Sequence, residues 1–349
     1  PPFPASVAKP QDFDHDGDLD LFIGARVEKG NFPIAGPSYF LRNNGGRLEV
    51  EAELSLDLGM LTDAVWSDVD GDGWEDLLIT REWDSPLLLK NEAGKAFHEV
   101  ADPSMQNKKG LWSAVLAVDL DQDGDDDYIL GNLGLNHRFE ISEQHPMQLY
   151  AVDIDDNNTL DPIMTAYWPD SLGQMQEYPV NYLDELMAQS PFFRKYTSYT
   201  RFSKAPISYI FKADSIPDHQ RYTVNTSMSY VLWNEGGTLE WEALPRGLQM
   251  APIKEMLAYD FTADGQVEVL IGGNDHSYDV ATGLFDANKG QLLKADGRVL
   301  RILSPQQTGL LLNGQVESLL YFEGERPYLV AGINRRKIAV FEHLKASIK

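Results

Sequence analysis

Apolar residues along this chain come in short runs of strand length that either alternate with polar positions or stay apolar throughout. LDLFIGA (19–25), EDLLITR (75–81) and DDYILGN (126–132) are of this kind, and such runs bounded by turn residues predict β-strands. Each follows a segment rich in aspartate and glycine, and stretches such as Ala64 to Ser67 and Ser113 to Val118 lead into those segments. A second pattern recurs downstream. Residues 38–54 (SYFLRNNGGRLEVEAEL), 85–102 (SPLLLKNEAGKAFHEVAD) and 227–245 (SMSYVLWNEGGTLEWEALP) each read as strand, Asn/Gly turn and strand, which is a hairpin. Strand, Asp-rich loop, strand and hairpin make a four-stranded unit of roughly 50 residues, and such units repeated around an axis are propeller blades.

The expected fold is therefore all-β: a single β-propeller domain over residues 1–349 with about six, alternatively seven, four-stranded blades. Blades are expected to start near residues 6, 63, 112, 205, 254 and 315, the last offering only the strands 316–322, 328–331 and 338–341. Residues 174–205 break the pattern. There Tyr182, Leu183, Leu186, Met187, Phe192, Phe193 and Tyr196 fall at roughly helical spacing, which predicts a short helical insertion whose aromatics either pack on a blade or form a partner-binding patch.

The Asp-rich segments share one nonapeptide: DFDHDGDLD from Asp12, DVDGDGWED from Asp68 and DLDQDGDDD from Asp119. DIDDNNTLD from Asp153 keeps every oxygen position with Asn158 in place of Gly, and Asn is the residue next best able to adopt positive φ. DFTADGQVE from Asp260 is degenerate, with Thr262 third and Glu268 ninth. In this spacing the side chains at positions 1, 3 and 5 converge, position 6 makes the turn, the carbonyl of position 7 points inward and the carboxylate at 9 closes an oxygen cage suited to Ca²⁺. The expected ligands are Asp12, Asp14, Asp16, Asp18 and Asp20; Asp68, Asp70, Asp72, Trp74 and Asp76; Asp119, Asp121, Asp123, Asp125 and Asp127; Asp153, Asp155, Asn157, Thr159 and Asp161; and, in the weak copy, Asp260, Asp264 and Glu268. Asp18, Trp74, Asp125 and Thr159 contribute their carbonyls. An EF-hand would need Glu at position 12, where Ile23, Ile79 and Leu130 stand, followed by a helix rather than a strand. Carboxylates about 4 Å apart repel by roughly 1 kcal/mol per pair even at the dielectric of water, so a cation is expected among them. The alternative for a single weak copy is a solvated Asx-turn without an ion.

Charge agrees with a cation-binding protein. The net charge is −25, which opposes nucleic acid as a partner. With no cysteine, disulfides, thiolate zinc sites and a cysteine nucleophile are excluded. No run approaches the roughly 18 apolar residues of a membrane helix, and the chain begins at Pro1 without a leader, which is compatible with an export signal removed upstream.

The DxDxDGxxD loops followed by apolar strands resemble FG-GAP or VCBS repeats, the calcium-loop blades also found in integrin α-subunit heads. More narrowly, GNLGLNHRF (131–139), LDPIMTAYW (160–168), EYPV (177–180) and TGLFDANKG (282–290) resemble surface proteins of Bacteroidetes that carry VCBS repeats with an ASPIC/UnbV region, related to cartilage acidic protein. The likeness spans about Asp12 to Leu303. It implies an exported, extracytoplasmic (cell-surface, periplasmic or secreted) calcium-binding propeller, and no defined biochemical activity.

In an up-and-down blade the loop between strands two and three lies opposite the calcium loops. Those segments, 26–33, 81–84, 132–145, 274–289 and 334–336, carry Arg26, Arg81, Trp83, Asn136, His137, Arg138, His276, Tyr278, Arg335 and Arg336. They predict either a recognition surface for a protein or acidic glycan, or arginines paired with the abundant carboxylates. A polysaccharide-degrading lyase or hydrolase is the alternative class, with His137, Arg138, His276 and Tyr278 as base and charge stabiliser. No Gly-x-Ser-x-Gly or His-Glu-x-x-His motif supports it, so a non-enzymatic binding or scaffolding module is the reading favoured.

Overall fold

Burial on both faces explains why the second strand of each unit is a near-continuous apolar run. The computed structural model describes residues 4–51, 56–212, 216–278 and 283–342; residues 52–55, at the end of the expected hairpin 38–54, and Thr282, at the start of 282–290, lie outside them. The first sheet pairs β1 (Ala5–Gln11), β2 (Asp20–Ala25), β3 (Tyr39–Asn43) and β4 (Leu48–Val50) in chain order, all antiparallel. The second repeats the plan with β5 (Met60–Ser67), β6 (Asp76–Asp84), β7 (Leu87–Asn91) and β8 (Phe97–Glu99), and the two-residue β9 (Gly110–Leu111) adds to β6. In β6, Leu77 and Ile79 pack toward the first sheet with Phe13, Phe22, Phe40 and Phe97, whereas Leu78 packs toward the third with Tyr128 and Leu130. A strand covered on both sides keeps no polar face.

The third sheet begins with β10 (Ala114–Val118) and β11 (Asp127–Gly131), and then the chain leaves it. β12 (Met147–Val152), β13 (Asp161–Pro169), β14 (Met175–Pro179) and β15 (Arg221–Val224) form a separate sheet in the order β14-β13-β12-β15. Only afterwards do β16 (Tyr230–Glu235) and β17 (Thr238–Ala243) complete the third sheet, with Tyr128 opposite Leu232 and Leu130 opposite Tyr230. The fourth sheet is β18 (Ile253–Tyr259), β19 (Glu268–Gly273), β20 (Gln291–Asp296) and β21 (Val299–Leu303); the last has three strands, β22 (Val316–Phe322), β23 (Tyr328–Ile333) and β24 (Ala339–Glu342).

The expected blade start near residue 205 is corrected by this topology. Residues Ile207–Ile210 are helical, and the hairpin expected to belong to that unit instead satisfies the free edge of β11. Among the described residues, four sheets follow the strand, loop, strand and hairpin plan, the last has the first three strands of it, and the sixth is inserted within the third. Successive first strands lie side by side, β1 against β5, β5 against β10, β10 against β18 and β18 against β22. Lys9 of β1 pairs with Asp63 of β5 at 2.9 Å, and Asp63 accepts the Val115 N–H of β10 at 3.1 Å, so a polar seam links these strands.

Residues 174–205 open as a strand, β14, and turn helical at Leu183–Gln189, Pro191–Lys195 and Tyr199–Phe202. Leu183, Leu186, Phe193 and Phe202 are buried against Tyr150 and Ile163 of the inserted sheet. Those side chains are core. Tyr182 and Tyr199 are exposed.

Candidate calcium loops and the opposite face

Four of the Asp-rich loops join the first and second strands of a sheet, and the Asp153 loop joins β12 to β13 as a hairpin. Local hydrogen bonds build each one. Asp68 accepts the N–H groups of Asp72 at 3.0 Å and Gly73 at 2.8 Å, and Asp153 accepts those of Asn157 at 2.9 Å and Asn158 at 2.7 Å. The sixth residue takes a left-handed φ in all five, from 65° at Asn158 to 102° at Gly124, as the turn requires. The fourth residue does so too, at His15, Gly71, Gln122, Asp156 and Ala263. The sequence marks that position unevenly, because Gly71, Asp156 and His15 are of types that favour positive φ whereas Gln122 and Ala263 are not.

The ninth carboxylates lie deepest. Asp20, Asp76, Asp127 and Asp161 are buried at the start of the second strand or, for Asp161, of β13. Asp76 accepts the Asn91 N–H at 2.8 Å and Asp127 the Asn234 N–H at 3.0 Å. Burial, reinforced by the neighbouring loop carboxylates, pushes Asp76 and Asp127 up to about 6 against the stabilising backbone bonds. Asp20 and Asp161 are raised for the same reason.

Carboxylate oxygens come within 4.8 Å of one another in the sets Asp12/Asp14/Asp20, Asp68/Asp70/Asp72, Asp119/Asp121/Asp127 and Asp153/Asp155/Asp161. Asp121 Oδ1 and Asp155 Oδ1 are buried without any hydrogen-bond partner. A further set, Asp121/Asp123/Glu235, includes a residue the sequence reading missed. Glu235 ends β16 and arrives only because the hairpin after the insertion returns to this sheet, so nothing local to the nonapeptide announces it. Asp16, Asp76 and the expected carbonyl donors fall outside these sets, as do Asp260, Asp264 and Glu268. Asp260 accepts the N–H groups of Asp264 at 3.1 Å and Gly265 at 2.9 Å, while Glu268 accepts from Thr262 N at 3.1 Å and Lys294 Nζ at 2.9 Å.

The loops also key into the next sheet. Asn91 donates to the carbonyl of Phe13 at 2.9 Å, and Asn234 to that of Val69 at 2.9 Å. Beyond each Asn, a turn glycine in the left-handed region lies on the aspartate at the third position of the loop: a Cβ at Gly94 would stand 2.6 Å from Asp14 Cα, and one at Gly237 would stand 2.9 Å from Asp70 Cβ.

At the other end of the sheets Arg26, Arg138, Arg335 and Arg336 are exposed and Arg81 is not. Arg81 is a structural side chain, only 12% exposed, donating to the carbonyls of Ser85 at 2.8 Å and Leu58 at 3.2 Å and pairing with Asp84 at 3.3 Å. Arg26 is held by Glu82 through bonds of 2.6 to 2.9 Å. For Arg81, satisfying carboxylates and carbonyls wins over presentation to a ligand, whereas Arg26 stays exposed while it is paired. Trp83 is buried beside Met60. Arg138 lies over Phe139 and Trp168, and its neighbour His137 bonds Ser227 at 3.0 Å and is held below its ordinary pKa by burial. Asn136 is exposed at the edge of a small groove with Leu135, Met228 and Arg246. Arg335 and Arg336 sit on an exposed turn, Arg336 donating to the carbonyl of Asn313 at 3.3 Å.

Arg26 and Tyr278 do share a cleft of about 370 Å³, which Glu82, Ser113, Lys254, Asp275 and Gln315 also line. These residues come from all five sheets of the series. Lys254 pairs with Asp275 at 3.0 Å, so the cleft's charges are matched within it. Burial pushes the Tyr278 hydroxyl well above its ordinary range. Neither His137 nor His276 lines this cleft.

Residues 12–79 and 68–130 match the FG-GAP-like repeat. Each match begins at the first aspartate of a loop and ends in the strand after the next loop, so the repeat frame is offset from the sheets. That offset mirrors the keying of each loop into the following sheet through Asn91 and Asn234. The two repeats cover about a third of the chain.

Among solved structures, the V. cholerae biofilm matrix protein Bap1 aligns over 98% of this chain and 69% of its own at 10% identity and a TM-score of 0.36. BBS1N from its complex with ARL6DN, soaked with lead, aligns over 100% and 95% at 8% identity and a TM-score of 0.26. At these scores neither likeness carries an argument. No curated protein matches the chain. Among the described residues no helix is long and apolar enough to cross a membrane.

Proposed function

We propose that this chain is a calcium-binding β-propeller module of an extracytoplasmic protein, acting by binding or scaffolding rather than by catalysis. The observation that carries the reading is the pair of orphaned buried oxygens, Asp121 Oδ1 and Asp155 Oδ1, each inside a cluster of carboxylates. A buried charged oxygen without a partner is costly. A hard divalent cation with an all-oxygen donor set supplies the missing partner, and calcium tolerates the number and variety of ligands present. The residues that would hold it are Asp119, Asp121, Asp123 and Asp127, and Asp153, Asp155, Asn157 and Asp161, with the carbonyls of Asp125 and Thr159. The Asp12 and Asp68 loops offer the same donors, and all but the Asp153 loop have a basic neighbour: Arg42 pairs with Asp14, Lys90 with Asp70 and with Asp72 at 2.9 Å, Arg298 with Asp121 at 3.6 Å and with Glu235, and Lys294 with Glu268.

Side-by-side first strands and a cleft lined from five sheets support closure of the series about one axis, with the insertion outside it. A cleft whose charges are already matched suits a ligand that brings hydroxyls or backbone amides, a glycan or a protein loop. The narrower likeness to ASPIC/UnbV-associated surface proteins rests on the four segments quoted above and is consistent with export. Metal analysis of protein purified without chelator should find calcium at the four full loops. Fewer than two ions per chain would overturn the reading. A glycan and peptide array probed with and without calcium would then identify the ligand class.

A further inference from the structure

The five loops differ in what faces the ninth residue from the neighbouring strand. In the fourth sheet Glu268 is opposite Lys294. In the third, one step beyond the pair Tyr128 and Leu232, the residue opposite Asp127 is Trp233, a core side chain whose indole N–H donates to Glu242 at 2.8 Å. Asp161 has no residue at this register: β14 stops short of it, and its partner Val152 lies on the strand before the loop, the counterpart of Val118 rather than of Trp233. The third-sheet loop, with an apolar residue there, holds an orphaned oxygen at Asp121, whose other oxygen lies 3.6 Å from Arg298.

Lys294 does the reverse. Its ammonium reaches three cage positions at once: Thr262 Oγ1 at 3.4 Å in the third, Asp264 in the fifth and Glu268 Oε1 at 2.9 Å in the ninth. Its side chain is 22% exposed and that of Glu268 is 0% exposed, so the pair is inside the fold rather than on its surface. Arg42 and Lys90, at the corresponding register, do less. Arg42 is shared with Glu51 and the Gly94 carbonyl, and Lys90 bonds the aspartates at the third and fifth positions without a bond to Asp76.

We infer that the Asp260 loop is closed by Lys294 and not by a metal ion, the lysine acting as a tethered cation in a cage that elsewhere takes calcium. This inference rests on the reading of the other loops as calcium cages. Charge is consistent with it. Thr262 removes one carboxylate, so an ammonium on three acids leaves the same residual charge as a divalent ion on four. An ammonium has three donors and no acceptor, so it satisfies the oxygens but cannot be a ligand. A divalent ion about 3 Å from it would be repelled by about 3 kcal/mol even at the dielectric of water. The fourth sheet thereby keeps its loop closed whatever the calcium concentration.

The test counts calcium bound per full-length chain by titration calorimetry and elemental analysis. Asp264→Asn, at a side chain 48% exposed, is expected to leave the count unchanged. Thr262→Asp combined with Lys294→Met, which restores the acid and removes the tethered cation, is expected to bind one ion more than the unmodified chain. A count that falls by one in Asp264→Asn would overturn the inference, as would a folded double variant that gains none. An unmodified chain that binds no calcium would instead sink the proposed function.

Discussion

The Asp119 and Asp260 loops have the same backbone and opposite electrostatics. Their fourth residues, Gln122 and Ala263, have φ of 65° and 54°, and their sixth, Gly124 and Gly265, have 102° and 85°. The ninth residue of the first, Asp127, is pushed up to about 6 by burial and the loop aspartates around it, and at a different position of the second, the fifth, the Lys294 hydrogen bond holds Asp264 below the usual carboxylate range. Burial pulls Lys294 down, but its bonds to Asp264 and Glu268 outweigh that and raise it. A nonapeptide can thus specify a loop shape without specifying what neutralises it. The neutralising group comes from the adjacent strand or from solution.

Chelation breaks the comparison most directly. A ligand at 100 times its dissociation constant stabilises by about 2.7 kcal/mol per site, so EDTA should lower the melting temperature by many degrees. Hydrogen exchange should then show the Asp119 and Asp153 loops losing protection while residues 260–273 keep theirs. Equal loss in both regions would mean that Lys294 does not substitute for an ion.

Next in size is Asp121→Asn, which removes the orphaned oxygen's charge. It should lower calcium binding by one site and cost about 2–3 kcal/mol in saturating calcium. Asp264→Asn should cost under about 1 kcal/mol, the value of a partly exposed ion pair. Matching losses in urea melts would erase the distinction.

Gly94→Ala probes the keying of loop to next sheet, which the Asp12 loop has and the Asp260 loop lacks in this form. Its Cβ would meet Asp14 Cα at 2.6 Å with φ of 71°, while Gly265 has open space around it. The expected losses are about 2 kcal/mol at Gly94 and about 1 kcal/mol at Gly265. Denaturation midpoints that shift alike would show that backbone strain alone matters.

The smallest effect concerns the first strand of the fourth sheet. Glu255 is pushed up to about 7 by burial and by Asp63 and Glu317, against the pull of Lys9. A carboxyl raised in the folded state contributes stability that is complete below its unfolded pKa and lost as pH rises through the folded value. Glu255→Gln should therefore stabilise the protein by about 1 kcal/mol near about pH 8, a figure reduced for its partial exposure, and leave it unchanged near about pH 4. A gain of equal size at both values would point to packing rather than charge.

The sequence alone determined the strands that flank the loops, the three hairpins and the five loops, because a nine-residue turn bonds to its own backbone and alternation is a local property. Glycine or asparagine at the sixth position is legible for that reason. Tertiary structure decided the rest. The chain between β11 and β16 makes a sheet of its own, so local pattern could not show that residues 230–235 close the third sheet and carry Glu235 to Asp121 and Asp123. Arg81 looked presentable until its neighbours' carbonyls and Asp84 were known. Which side chain faces the ninth residue depends on cross-strand register, and Trp233 and Lys294 occupy that position for reasons no nonapeptide contains: one fills a core between two sheets, and the other meets Glu268, an acid with no exposed surface.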